Sequence, residues 1–156
     1  MRLRLLAVGT RMPAWVREAY QEYIKRLGAE LRVHLSEIEP GPRSPGRPTG
    51  KAVAVEAQRL LAALHADDYV VALHERGAEM STRELAAFLR ARVREGRDLA
   101  FLIGGPDGLA SEVLARSDLK WSLSRLTFPH ALVRVILAEQ LYRAHAVLSN
   151  HPYHRD

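Results

Sequence analysis

Two unbroken apolar runs, Tyr69-Val70-Val71-Ala72-Leu73 and Leu99-Ala100-Phe101-Leu102-Ile103, constrain this chain most. A strand with one wet face alternates apolar and polar side chains. A short continuous run implies burial on both faces, as in the middle of a parallel sheet. The segments around these runs have helical spacing. After Pro13, the residues Trp15, Val16, Ala19, Tyr20, Tyr23, Ile24 and Leu27 mark one helix face. Val53, Ala57, Leu60, Leu61 and Leu64 do the same across 51–65, and Ser81 with Glu84 forms a capping box for a helix reaching Glu95. Arg2 to Val8 reads as a first strand stopped by Gly9, while residues 31–38 alternate with period two, like a half-exposed strand. A short helix near 111–115, a strand over 119–123 and a closing helix from Pro129 to about Leu148 complete the order. Strands alternating with helices predict an α/β fold, a mostly parallel sheet flanked by helices on both faces. At 156 residues, with no repeat and no linker, a single domain over 1–156 is expected.

Composition narrows the function classes. The chain has no cysteine, which excludes disulfides and thiolate metal sites and suits a reducing cytoplasm. No run is long and apolar enough to cross a bilayer, and the first nine residues lack a signal-peptide core, so a soluble cytoplasmic protein without a membrane partner is expected. Formal charge is +5, and of 23 basic residues only Lys25, Lys51 and Lys120 are lysines. Arginine binds phosphate bidentately and stacks on bases, which points to nucleic acid. Coding bias in a GC-rich genome gives the same composition, and both readings stay open here. Residues 40–50 hold four prolines and three glycines, a pattern that excludes helix and central strand and predicts a mobile basic loop.

Ligands of open α/β sheets sit at the carboxyl ends of the strands, here the loops after Leu73, Ile103 and Leu123. In the second of these, Gly104-Gly105-Pro106-Asp107-Gly108, the glycines either admit a ligand or merely make a tight turn. Neither G-x-x-x-x-G-K-[ST] nor an early G-x-G-x-x-G is present, which counts against nucleotide hydrolysis and dinucleotide-dependent hydride transfer. The third loop, residues 124–129, offers backbone groups for the edge of an adenine, with Leu126, Phe128 and Leu73 to wall its faces. Its competing reading is a helix-capping loop with Thr127 as the cap. The closing helix is apolar over more than one face. That predicts a subunit interface rather than a central helix, with Arg134, Glu139 and Arg143 on the remaining polar stripe. Beyond it, Asn150-His151-Pro152-Tyr153-His154-Arg155 is dense in hydrogen-bonding side chains. The tail suits contact with a base and a phosphate better than a frayed terminus. His145, His151 and His154 lack accompanying carboxylates and do not make a convincing metal site, so no metal is expected.

Together these segments resemble the RlmH family of the SPOUT superfamily, small bacterial methyltransferases acting on a pseudouridine of large-subunit ribosomal RNA. The likeness spans the chain. It is carried by Ala7-Val8-Gly9-Thr10 with Met12-Pro13-x-Trp15-Val16, by Leu102-Ile103-Gly104-Gly105-Pro106-x-Gly108-Leu109, and by Ser122-Leu123-Ser124-x-Leu126-Thr127. Pro129-His130-x-Leu132-Val133-Arg134-Val135, Ala138-Glu139-x-Leu141-Tyr142-Arg143-Ala144 and the tail complete it. The resemblance implies a C-terminal trefoil knot, an exception to unknotted topology, and a homodimer. S-adenosylmethionine is the implied methyl donor, held by Leu73, Gly105, Ser124, Arg125, Leu126, Thr127, Phe128 and Pro129. The implied product is N3-methylated pseudouridine in 23S rRNA, formed on the assembled ribosome. N3 of the ring must lose a proton before it attacks, so a base or a nearby positive charge is needed. His154 and Arg155 are the candidates, Tyr153 places the base, and His130 is a further candidate. The alternatives are a catalytically inactive ribosome-associated RNA binder and a SPOUT methyltransferase of another RNA.

Overall fold

The computed structural model describes residues 1–155. Its strands are β1 (Arg2–Val8), β2 (Arg32–Ile38), β3 (Tyr69–Glu79), β4 (Leu99–Ile103) and β5 (Leu119–Ser122). They form one sheet in the order β2-β1-β4-β3-β5, with every pairing parallel. The helices are α1 (Ala14–Ile24), α2 (Gly50–Ala63), α3 (Thr82–Glu95), α4 (Ser111–Arg116) and α5 (His130–Leu148).

Strand alternation divides the core in two. Leu3, Leu5 and Ala7 of β1 with Leu99, Phe101 and Ile103 of β4 face α1, α3 and α5. Leu6 and Val8 of β1, Val70 of β3 and Leu102 of β4 face Ala57 and Leu60 of α2 and Val113 of α4. Both faces of β4 are therefore dry, which is why its sequence does not alternate. Truncating Leu102 to alanine there costs about 2–5 kcal/mol. The outer strand β2 alternates because its other face is wet. The Ser81–Glu84 capping box forms as its spacing predicts, and Gly96 in the left-handed region closes α3.

Several expectations need correction. Trp15 is 55% exposed, and α1 buries Val16 and Tyr20 instead. Strand β3 runs past Leu73 to Glu79, with its ladder to β5 interrupted between Leu73 and Ala78. Gly77 makes this extension possible, since a Cβ there would lie 2.6 Å from the Lys120 carbonyl carbon. The proline-rich loop is fastened at its start rather than loose. Gly41 N donates to Glu56 at 2.9 Å, and Arg59 donates to the Glu39 and Pro40 carbonyls at 2.8 and 3.1 Å.

Helix α5 also departs from expectation. It is a central member of its helical layer, packed against both α1 and α3, with Leu137, Ala138, Leu141 and Ala144 buried by its own chain. Arg134 is not on a polar stripe but 2% exposed. It donates to Glu37 at 2.6 Å, to the Gly9 carbonyl at 2.7 Å and to the Val8 carbonyl at 3.4 Å. Residues more than ninety positions away supply these partners, so local spacing could not reveal them.

Candidate functional site

Because all five strands are parallel, their carboxyl ends lie along one edge of the sheet. Residues 73–75 within β3 and the ends of β4 and β5 meet the first turn of α5 there, around a cavity of about 660 Å³. Leu73, Gly105, Ser124, Leu126, Thr127, Phe128 and Pro129 all line it, together with Gly104, Asp107, Ile103, Leu109, His130 and Val133. Arg125 is the exception among the expected cofactor residues. Its side chain is 90% exposed and lies 3.9 Å from Glu79, outside the cavity wall. Among the lining residues, His74 and Glu75 were not anticipated. They continue β3 beyond Leu73, and the only available signal was the absence of any breaker after that apolar run.

Each loop has a local reason for its shape. Gly108, at φ +75°, donates from its N–H to the Gly105 carbonyl at 3.0 Å and closes the turn. A Cβ at Gly104 would lie 2.7 Å from the Gly108 carbonyl carbon, and one at Gly105 would lie 3.0 Å from Val8 Cγ1. The tight-turn reading and the ligand-loop reading of these glycines are therefore compatible. In the next loop, Leu126 N–H donates to Ser124 Oγ at 3.0 Å, and Ser122 Oγ donates to the Ser124 carbonyl at 2.8 Å. The Ser124 hydroxyl thus shapes the backbone from within.

Thr127 does not cap α5. The N-cap is Pro129, with no side-chain hydrogen bond, so the first amides of the helix face the cavity end without a side-chain acceptor. His130 stands at this point. Burial first, then the charges of Arg134 and Arg43, push its imidazole below the usual histidine range. At neutral pH it is a proton acceptor rather than a cation.

The tail lies elsewhere. Asn150, at φ +57°, occupies the left-handed position of a Schellman closure: its N–H donates to the Val147 carbonyl at 3.3 Å, and His151 N–H donates to the Ala146 carbonyl at 2.8 Å. The role of Asn150 is therefore conformational. Tyr153 turns back along α5, its ring 4.5 Å from that of Tyr142 and its hydroxyl donating to Glu139 at 3.1 Å. Burial and the Glu139 carboxylate both raise its phenol above the ordinary range. His154 is half-buried and Arg155 exposed. None of Tyr153, His154 and Arg155 lines the cavity of its own chain. A helix of 19 residues is about 28 Å long, and the cavity is at its other end.

A second cavity of about 470 Å³ lies beneath α1, beside Tyr20, Glu37 and Arg134. Among the described residues, no group of three or more His, Cys, Asp or Glu side chains is placed to hold a metal, and no helix is long and apolar enough to cross a membrane.

Comparison with known proteins agrees with this architecture. A family model described as "Predicted SPOUT methyltransferase" matches residues 1–154. A protein named ribosomal RNA large subunit methyltransferase H from Methylococcus capsulatus is 53% identical over 99% of this chain and 100% of its own length. One of the same name from Paraburkholderia xenovorans is 51% identical over 99% of each chain. Among solved structures, a probable methyltransferase from Bordetella pertussis superposes with a TM-score of 0.57 at 19% identity, over 92% of this chain and 95% of the other. At that identity the likeness speaks for the fold alone. Full-length similarity to the named relatives and the family match agree with the all-parallel sheet and its strand-end cavity: the chain belongs to the SPOUT methyltransferase family, within its RlmH branch.

Proposed function

We propose that this enzyme transfers a methyl group from S-adenosylmethionine to N3 of a pseudouridine in 23S rRNA, working in the cytoplasm on the assembled ribosome as a homodimer. The observation that carries this reading is the cavity between residues 73–75 of β3, the ends of β4 and β5 and the first turn of α5. Its volume of about 660 Å³ lies in the range of small-molecule sites. Its residues fit an adenosine-bearing methyl donor. Leu73, Leu126 and Phe128 offer apolar faces for adenine, and the backbone of 124–129 offers donors and acceptors for its edge. Gly104 and Gly105 allow close approach, and the uncapped first turn of α5 favours a carboxylate. Arg125, directed outward, is better suited to RNA than to the cofactor. The reading includes a trefoil knot in the C-terminal part of the chain.

S-adenosylmethionine supplies a methyl group already made electrophilic by its sulfonium. The protein's task is then to orient the acceptor ring and remove its N3 proton. The tail of each chain lies along its own α5, so His154, Arg155 and Tyr153 would serve the cavity of a second copy. Arg155 would favour the anion that deprotonation creates, and Tyr153 would place the ring. His130, inside the cavity and held neutral by burial and two arginines, is the competing proton acceptor. The names of the close relatives support the choice of ribosomal RNA as substrate.

The test is calorimetric titration with S-adenosylmethionine, followed by tritiated methyl transfer to ribosomes lacking the modification. Binding with transfer to large-subunit RNA is expected. Binding without transfer would point to another RNA, and no binding by folded protein would leave a catalytically inactive RNA binder.

A further inference from the structure

Glu56 is a carboxylate on α2, yet it is 2% exposed. Its partners account for the burial. Arg43 donates from Nη1 to Oε2 at 2.6 Å and from Nη2 to Oε1 at 3.1 Å, and Gly41 N–H donates to Oε2 at 2.9 Å. A bidentate pair with an added amide is what a buried carboxylate requires. The Arg43 guanidinium has one nitrogen left, and this Nε donates to Asp107 at 2.9 Å. Asp107 belongs to the glycine turn and lines the cavity.

That third contact is not needed to satisfy Glu56, and it reaches an aspartate that is only partly buried. It connects the proline-rich segment and α2 to a turn closed internally by one hydrogen bond, Gly108 N–H to the Gly105 carbonyl. Glu56 also sits behind the turn, 3.8 Å from where a Cβ on Gly105 would be. Resting on the cofactor reading of the cavity, we propose that Arg43 is a positioning residue: it carries the fixed position of Glu56 to Asp107 and holds the glycine turn in the shape that accepts S-adenosylmethionine. All three nitrogens of one guanidinium donate at once, a geometry that lysine cannot reproduce. Residues 40–50 thereby become part of the cofactor site without lining it. The same charge also bears on His130.

The test is a double-mutant cycle between Asp107→Asn and the neutralised pair R43Q/E56Q, which leaves no orphaned buried charge. Two readouts are taken: S-adenosylmethionine affinity by calorimetry, and hydrogen exchange of the amides of residues 105–109 without cofactor. Asp107→Asn is expected to weaken affinity about tenfold and to speed that exchange about tenfold. In the R43Q/E56Q background, which shows the same losses, it should add nothing further. Additive losses of affinity would mean that Asp107 touches the cofactor directly, and would overturn the proposal. Unchanged exchange in both variants would overturn it as well. If wild-type protein binds no S-adenosylmethionine, the cofactor reading falls, and the exchange cycle still decides whether Arg43 holds the turn.

Discussion

At its first turn α5 has no side-chain cap and borders an open cavity, whereas its last turn is closed on itself. There the carbonyls of Ala146 and Val147 take donors from the following chain, and Tyr153 folds back onto Tyr142 and Glu139. The open end leaves amide donors for something outside the chain. The closed end satisfies its groups internally and holds the tail as a preformed surface. One helix thus separates an open cavity, where we propose the ligand binds, from a place that presents side chains. That separation is the physical reason to expect two copies to cooperate.

The contrast breaks most severely at Arg134, one turn in from the open end. Arg134→Met leaves Glu37 without its partner and the Gly9 and Val8 carbonyls without their donor. Urea unfolding should show a loss of about 3–5 kcal/mol. A loss below about 1 kcal/mol would mean that the buried charge does not anchor that end. Next comes Gly104→Ala, whose Cβ meets the Gly108 backbone at 2.7 Å. It should cost about 1–3 kcal/mol by thermal unfolding and impair S-adenosylmethionine binding in the same protein.

At the closed end the effects are smaller. Asn150→Ala puts a Cβ residue without a local hydrogen-bonding side chain at φ +57° and should cost about 1 kcal/mol, while Asn150→Gly should leave the melting temperature unchanged or raised. Tyr153→Phe loses one hydrogen bond, to Glu139, at a half-exposed site, about 1 kcal/mol or less. Methyl transfer falling without a matching change in melting temperature would assign the tail to the reaction; unchanged transfer would confine it to packing. The smallest effect is protonic. Burial lowers His130 in the folded state, so the unfolded chain binds the proton first as pH falls. Its contribution to stability is present above the ordinary histidine pKa and is lost as pH falls through the lowered value. An NMR titration of His130 showing a midpoint at or above that of an exposed histidine would mean that burial does not hold its imidazole low.

Legibility in the sequence followed the range of the interactions. Strand β4 has the predicted limits, and the Ser81–Glu84 box forms, because five apolar residues and a three-residue spacing are local facts. The loops after Ile103 and Leu123 could be chosen because carboxyl ends of parallel strands share an edge, whereas the stretch after Leu73 lines the cavity as continuing strand. The exposure of Trp15 and the burial of Arg134 were not legible, since helical spacing gives a face but not what covers it. Nor was the fastening of residues 40–50. Their prolines exclude helix, and nothing local announces that Glu56 will be buried beside them.

By itself the sequence determined the α/β class, most element limits and the backbone-rich loops of the site, along with a likeness that already named the family. Those properties depend on propensity, periodicity and turn chemistry over a few residues. Only the tertiary structure decided that Arg125 points away, that Asn150 is a helix closure, that Arg43 spans a buried glutamate and the glycine turn, and that the tail lies a helix length from its own cavity. The reason is that each depends on which distant groups share a low-dielectric interior, and the packing of the whole chain sets that.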